Sequence, residues 1–455
     1  MRVHFIAIGG AAMHNLALAL HAKGYEVTGS DDEIFEPSKS RLSNKGLLPQ
    51  NEGWFPEKIT SNLDAVILGM HARTDNPELI KAQELGLKIY SYPDYIYEQT
   101  KDKKRVVIAG SHGKTTITSM IMHVLKMCGK EFDYLVGAQI EGFETMVGLS
   151  DTAPYAIIEG DEYLASPIDR RPKFHIYKPH VAIISGIAWD HINVFPTFEN
   201  YVDQFKIFIQ LIEPGGTLIY CNEDYHLAKL VKADKSLIKK QAYLLPDHVI
   251  QDGITSLIKD NVIYAPLKVF GNHNLLNVQG ARLVCAQLGI TDEEFIAAIS
   301  MFKGAAKRLE LVFSNEKTNI FKDFAHSPSK LLATTNAVKN QFPERKLIAC
   351  MELHTFSSLN ENFLGEYKNS MHLADEAYVY YNEHTIEHKK LKPISAQQVK
   401  DAFGTNNVTV INKTEDLVNI LQSKTWENSN LLMMSSGNFD GIKFEELAKT
   451  IGLEE

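Results

Sequence analysis

Seven residues, Gly110-Ser111-His112-Gly113-Lys114-Thr115-Thr116, constrain this chain more than any other stretch of it. An apolar run at 106–109 leads into them, and helical spacing through Ile117, Met120, Ile121, Val124 and Leu125 follows. A glycine-rich turn between a strand and a helix gathers backbone N–H groups and the positive end of the helix dipole round one spot, which suits a phosphate. On that reading Lys114 meets the outer phosphates of a nucleoside triphosphate and a threonine hydroxyl meets Mg²⁺. The loop is shorter than the common G-x-x-x-x-G-K-[ST] form, and the plain alternative is a glycine turn carrying an exposed lysine.

The 455 residues exceed what one core supports, since single cores stop growing near ~250–300 residues. Residues 2–8 form an apolar run ending at Gly9-Gly10, followed by helical spacing through Leu16, Leu18 and Leu20 and a second strand at 25–28. Further strands are expected at 65–68 and 88–91, so the first hundred residues read as a small Rossmann-like α/β unit, closed by the charged run 101–105. A second unit holds the glycine-rich loop and strands at 156–159 and 181–185. The remainder alternates strands at 320–324, 347–351, 377–381, 408–411 and 431–435 with helical patterns, a second Rossmann-like unit. The expected fold is therefore α/β in three domains. A Rossmann-like domain covers 1–103, a central P-loop-type ATPase domain 104–304 and a C-terminal Rossmann-like domain 305–455.

Four other clusters carry chemistry. Glu159-Gly160-Asp161-Glu162 and Asp190-His191 follow strand ends, where carboxylates and an imidazole beside a phosphate loop can ligate Mg²⁺; alone, the first is a solvated acidic turn. Gly271-Asn272-His273-Asn274-Leu275-Leu276-Asn277 opens an apolar helix, and its amides suit either a purine edge or a helix cap. Lys307-Arg308-Leu309-Glu310 and Asp323-Phe324-Ala325-His326-Ser327-Pro328 bracket the start of the last unit; the strand-end Asp323 can cap the next helix or hold a ribose. Finally, Ala7-Ile8-Gly9-Gly10-Ala11-Ala12-Met13 matches the dinucleotide fingerprint only at Gly9, yet a helix N-terminus there can still bind a pyrophosphate.

The order of these pieces, a glycine turn, then GKTT, E-x-DE, DH, HN-x-x-N, R-x-E and D-x-AH-x-P, resembles the Mur ligases across essentially the whole chain. The resemblance implies a substrate-binding first domain, with Gly9, Gly10, Ala11, Ala12 and Met13 at the UDP diphosphate, Ser30 and Asp31 near the uridine, and His71 among the substrate contacts. It implies ATP and Mg²⁺ as cofactors. Gly110, Ser111, His112, Gly113, Lys114, Thr115 and Thr116 would hold the triphosphate, Asn274 and Asn277 would face adenine, Arg308 the phosphates, Asp323 the ribose, and His326 would lie near the nucleotide. Thr115, Glu159 and His191 would be metal ligands, joined by Lys206 if it is carbamylated as a lysine in this stretch is in several family members, the alternative being a solvated surface lysine; Lys114, Glu159, His191 and Arg308 would be the catalytic set. Two departures stand out: Ser327 replaces a usual second histidine, and Ala7 and Ala12 replace usual glycines.

The activity implied is ATP-dependent formation of an amide at the lactyl carboxylate of UDP-N-acetylmuramate in bacterial cell-wall synthesis. Two family members share the glycine-turn first domain; one adds L-alanine and the other the tripeptide L-Ala-γ-D-Glu-meso-diaminopimelate. The long loop 162–174, the short hairpin from Arg308 to Asp323 and the ending Ser435-Ser436-Gly437-Asn438-Phe439-Asp440-Gly441-Ile442 favour the tripeptide. A dehydrogenase built on the first unit would leave GKTT and HN-x-x-N unexplained, and a nucleotide sensor would bind without turnover.

Charge and composition exclude other classes. A net charge of −9 argues against nucleic-acid binding, which rests on cations neutralising phosphates. No apolar stretch nears the ~18 residues that span a bilayer, and 1–10 read as a buried strand rather than a signal peptide, so a cytoplasmic protein is expected, monomeric or homodimeric. The four cysteines are far apart and read as reduced structural thiols.

Overall fold

The computed structural model describes residues 1–189, 194–259, 262–404 and 407–453. The described residues carry α/β architecture in four sheets. The first is four parallel strands in the order second, first, third, fourth along the chain: Glu26–Ser30, Arg2–Ile6, Ala65–Leu68 and Ile89–Ser91. Parallel strands are covered on both faces, so they read as unbroken apolar runs; Val66, Ile67 and Leu68 are fully buried. The first strand ends at Ile6, two residues before the apolar run does, because Ala7 turns into the left-handed region at φ 69°.

The second sheet has seven strands, with Lys104–Ala109 in its middle between Val181–Ile184 and Tyr155–Glu159. All its pairings are parallel except the edge strand Val147–Gly148. The inner strands at Phe132–Leu135 and Thr217–Cys221 and the outer Lys239–Tyr243 were not marked by the apolar pattern; the outer one, with its two lysines and a glutamine, lies at an edge where one side stays wet. A separate antiparallel sheet holds His248–Gln251, Ile254–Lys259 and Val262–Leu267.

The last sheet has six strands, five parallel and one, Glu310–Ser314, antiparallel to Thr318–Asp323, which is the expected hairpin. The period-two alternation of a strand is explicit in Lys346–Leu353. Leu347, Ala349, Met351 and Leu353 enter one buried cluster, while Ile348 and Cys350 enter the cluster on the opposite face.

The chain divides into two compact units: Met1–Ile187, Glu199–Leu244 and Gly280–Ala298 form one, and Ala188–Phe198, Leu245–Gln279 and Ile299–Glu455 the other. The four- and seven-stranded sheets belong to the first and the other two to the second. All four cysteines are free thiols. No helix among the described residues is long and apolar enough to cross a membrane.

Candidate functional site

The glycine-rich loop leaves the C-terminal end of the middle strand of the seven-stranded sheet and enters the helix Lys114–Met127. Gly110 sits at φ 122° and Gly113 at φ 74°, conformations that side chains resist. A Cβ on Gly110 would stand 2.8 Å from the Ser185 amide nitrogen, so the turn also needs the missing side chain. Neighbouring backbone fixes the loop: Ser111 N–H donates to Gly186 O at 3.0 Å and Ser185 N–H to Ala109 O at 3.1 Å, while the Ser185 hydroxyl donates to His112 O. Gly113 supplies no capping side chain, which leaves the first amides of the helix for an anion.

Lys114 points back over this cradle. Its Nζ donates to Gly110 O at 2.7 Å and to Glu162 Oε2 at 2.8 Å. Burial lowers the Lys114 pKa, but Glu162, Asp161 and Glu159 outweigh it and hold the ammonium above its ordinary value. The Glu159 carboxyl is raised, first by burial, against the opposing Gly137 amide, Lys114 and Thr115. Thr115 Oγ1 donates to Glu159 Oε1 at 2.9 Å and Gly137 N–H to Glu159 Oε2 at 2.7 Å. A hydroxyl and a carboxylate side by side, next to a lysine and open amides, form a donor set that fits a hard cation bound to phosphate. Asp190 and the expected metal ligand His191 lie outside the described residues.

Two residues round the loop had no sequence signal for the contacts they make. Tyr201, fully buried in the helix Phe198–Gln210, hydrogen-bonds Ser111 Oγ at 2.9 Å and donates to Glu162 Oε1 at 3.1 Å. In the sequence Glu162 reads as one of the carboxylates of the 159–162 cluster that can ligate Mg²⁺, and not as a partner of Lys114. Tyr201, Phe205, Phe208 and Ile209 form the buried face of that helix as their spacing predicted, and Lys206 is exposed.

In the first sheet's turn, Gly10 precedes the helix Ala11–Ala22, and Ala12 and Met13 lie in its first turn. Gly9 N–H donates to Asp31 Oδ2 at 2.6 Å, so Asp31 serves the turn itself. Burial, against the Gly9 amide, raises the Asp31 pKa to about 6. Ser30 is fully buried and accepts from Lys58 Nζ at 3.3 Å, whereas His71 is exposed.

The second unit gathers the remaining candidates. Asn274 and Asn277 are buried near the start of the helix Asn272–Gln287, and Asn274 Nδ2 donates to Phe270 O at 3.0 Å, a bond back to the carbonyl four residues earlier. Asp323 accepts from the Leu309 and Ala325 amides, both at 2.7 Å, tying the two ends of the hairpin together. The Arg308 guanidinium lies 4.7 Å from the Phe324 ring centroid, and His326 Nδ1 contacts Phe324 O at 2.7 Å. Ser327 precedes the helix Pro328–Gln341 as its N-cap residue.

Three family models match in chain order: "Mur ligase family, catalytic domain" over residues 2–104, "Mur ligase middle domain" over 108–285 and "Mur ligase, glutamate ligase domain" over 307–437. The UDP-N-acetylmuramate–L-alanine ligase of Caldicellulosiruptor bescii is 31% identical over 389 residues, 82% of each chain. The UDP-N-acetylmuramate–L-alanyl-γ-D-glutamyl-meso-2,6-diaminoheptandioate ligase of Haemophilus influenzae is 27% identical over 98% of each. Among solved structures, a murein peptide ligase of Psychrobacter arcticus superposes with a TM-score of 0.64 at 23% identity over 99% of both chains. The UDP-N-acetylmuramate–alanine ligase of Thermotoga maritima gives 0.70 at 21% identity, covering 97% of this chain and 96% of its own. These two likenesses concern the fold.

Proposed function

The chain belongs to the Mur ligase family, whose members are ATP-dependent, ADP-forming ligases, and from that premise we propose that it joins the tripeptide L-Ala-γ-D-Glu-meso-diaminopimelate to UDP-N-acetylmuramate. The observation that carries the reading of the site is the Lys114 ammonium held over an open phosphate cradle, with the Thr115–Glu159 pair beside it. The domain bounds 1–103, 104–304 and 305–455 belong to the same proposal, as seats of the UDP substrate, of ATP and of the C-terminal Rossmann-like fold.

A free carboxylate does not acylate an amine at a useful rate, so it must first be activated. The lactyl carboxylate attacks the γ-phosphorus of ATP, giving an acyl phosphate and ADP; the α-amine then attacks the acyl carbon, and phosphate leaves as the amide forms. Lys114 and the amides after Gly113 neutralise the phosphoryl oxygens. Mg²⁺, when bound through Thr115 and Glu159, screens the charge of the group being transferred. The chain's main work is positioning and electrostatics, with no covalent protein nucleophile.

Support for the tripeptide as donor comes from the long 162–174 loop and the 435–442 ending. The second reading, L-alanine as donor, is favoured by the 31% identity to an L-alanine ligase. Phosphate release with UDP-N-acetylmuramate, ATP, Mg²⁺ and either donor separates them. We expect kcat/KM at least ~10-fold higher for the tripeptide, a difference of about 1.4 kcal/mol in transition-state binding; the reverse preference replaces this reading with the second.

A further inference from the structure

A cavity of about 840 Å³ lies within the first unit, away from the phosphate loop. Its walls are the helix Tyr92–Thr100, the segment 170–178 and the end of the helix Phe198–Gln210. Arg105 marks its distance from the chemistry. This residue is buried at the start of the strand whose other end becomes Gly110, five residues on, or roughly 17 Å at ~3.3 Å per residue. Small-molecule sites run from roughly 300 to 1,000 Å³, so the cavity has the size of one.

Its chemistry is selective. Tyr90, Tyr97, Ile176 and Ile207 give aromatic and aliphatic wall. The two lining carboxylates are already partnered, Glu98 with Lys101 at 3.0 Å and Asp94 with the Ser91 hydroxyl and the Arg171 guanidinium. Arg171 in turn is committed to Asp169. Two lining cations, Arg170 and Lys178, are exposed and have no ion pair among the described residues. Lys178 is presented by force. Its backbone stands at φ 42°, held by the buried Arg105, whose Nε donates to Tyr177 O at 2.8 Å and Lys178 O at 3.1 Å, and its Nζ lies 5.3 Å from the Tyr97 ring centroid. The left-handed backbone costs energy, and it sets the cation over an aromatic ring in the cavity wall.

We infer that this cavity is a second ligand site, for a small amphipathic anion: a flat apolar or aromatic body seated among Tyr90, Tyr97, Ile176 and Ile207, with a sulfonate, phosphate or carboxylate between Arg170 and Lys178. In a chain of net charge −9, two unpaired cations at one apolar cavity select the sign of the ligand. An occupant touches residues on both sides of the charged run 101–105 that joins the first sheet to the second. It also touches the segment whose other end supplies Glu162 to Lys114.

The test uses the full chain and anilinonaphthalene sulfonate, a flat aromatic anion that fluoresces when its body leaves water. Saturable binding of one probe per chain is expected, unchanged by excess ATP and Mg²⁺ and by Lys114→Ala. The double variant Arg170→Glu/Lys178→Glu should weaken it at least 10-fold. Ile207→Trp, which fills the cavity from an exposed position without touching charge, should weaken it comparably, and thermal melting shows that each variant is folded. Probe affinity unaltered by both variants, or binding displaced by ATP, overturns the proposal.

Discussion

Lys114 Nζ lies 2.8 Å from Glu162 Oε2, and Glu162 is itself held by the Tyr201 hydroxyl, which Ser111 of the same phosphate loop also contacts. The cation of the cradle therefore has an internal counter-ion, with side-chain exposures of 15% for Lys114 and 2% for Glu162. A triphosphate arriving there shares Lys114 with a carboxylate of its own sign. Removing one partner of such a buried pair leaves an uncompensated charge. Glu162→Gln should therefore lower the melting temperature of the ligand-free chain by several degrees. ATP with Mg²⁺ should raise the melting temperature of this variant more than that of the parent, since binding to the folded state alone stabilises in proportion to affinity. Equal ligand-induced shifts in differential scanning fluorimetry would show that Glu162 does not compete.

Lys114→Ala should reduce ATP turnover at least ~10³-fold, in line with the loss of a preorganised charge at developing phosphoryl oxygens. Binding of UDP-N-acetylmuramate by calorimetry should change little, because the proposed substrate turn at Gly9 to Met13 belongs to a different sheet. Lys114→Arg should not rescue. The ammonium is enclosed between Gly110 O and Glu162, and a planar guanidinium does not fit a point-charge position. Comparable loss of both ligands contradicts the division of labour.

Gly110→Ala places a methyl group 2.8 Å from the Ser185 nitrogen at φ 122°. The cost should be about 1–3 kcal/mol of stability, read as a shift in the urea midpoint, together with loss of ATP binding. Gly86→Ala, in a left-handed turn with open space round it, is the comparison: strain without a clash, and nucleotide binding retained.

Asp31 gives a pH signature. Burial, opposed by the Gly9 amide and reinforced by Asp32, lifts its pKa to about 6, against an ordinary value near ~4. A carboxyl raised on folding favours the folded state below the unfolded pKa, and that contribution is lost as pH rises through the folded one. Between pH 4 and 7 the parent should lose stability relative to Asp31→Asn, which keeps an acceptor for Gly9 N–H and carries no charge. Parallel stability curves for the two proteins over that window would remove the assignment.

Much of this was legible in the chain because parallel strands are short apolar runs, and twelve of them fell where the pattern put them. The phosphate loop was legible for a different reason: left-handed backbone at Gly110 and Gly113 demands residues that sequence displays openly. The turn at Ala7 shows the limit, since an alanine at φ 69° advertises nothing, and the strand was expected to run two residues too far. Tyr201 was visible as a core residue from its helical spacing, yet its hydroxyl reaches Ser111 and Glu162 only through tertiary packing. The cavity at Tyr97 was equally invisible, because it is assembled from three segments that no local pattern connects.

The helix that supplies Tyr201 also carries Lys206. Residues five apart on an α-helix differ by about 140° round the axis at ~3.6 residues per turn. With Tyr201, Phe205, Phe208 and Ile209 buried, Lys206 stands on the exposed face, turned away from the side that meets the phosphate loop. The resemblance implied a carbamylated lysine here as a metal ligand, and that role needs the side chain on the loop's side of the helix. Lys206→Ala should therefore keep activity within about twofold of the parent, and turnover should not depend on added bicarbonate. A large loss that bicarbonate restores in the parent, or that short-chain carboxylic acids rescue in Lys206→Ala, would return Lys206 to the metal site.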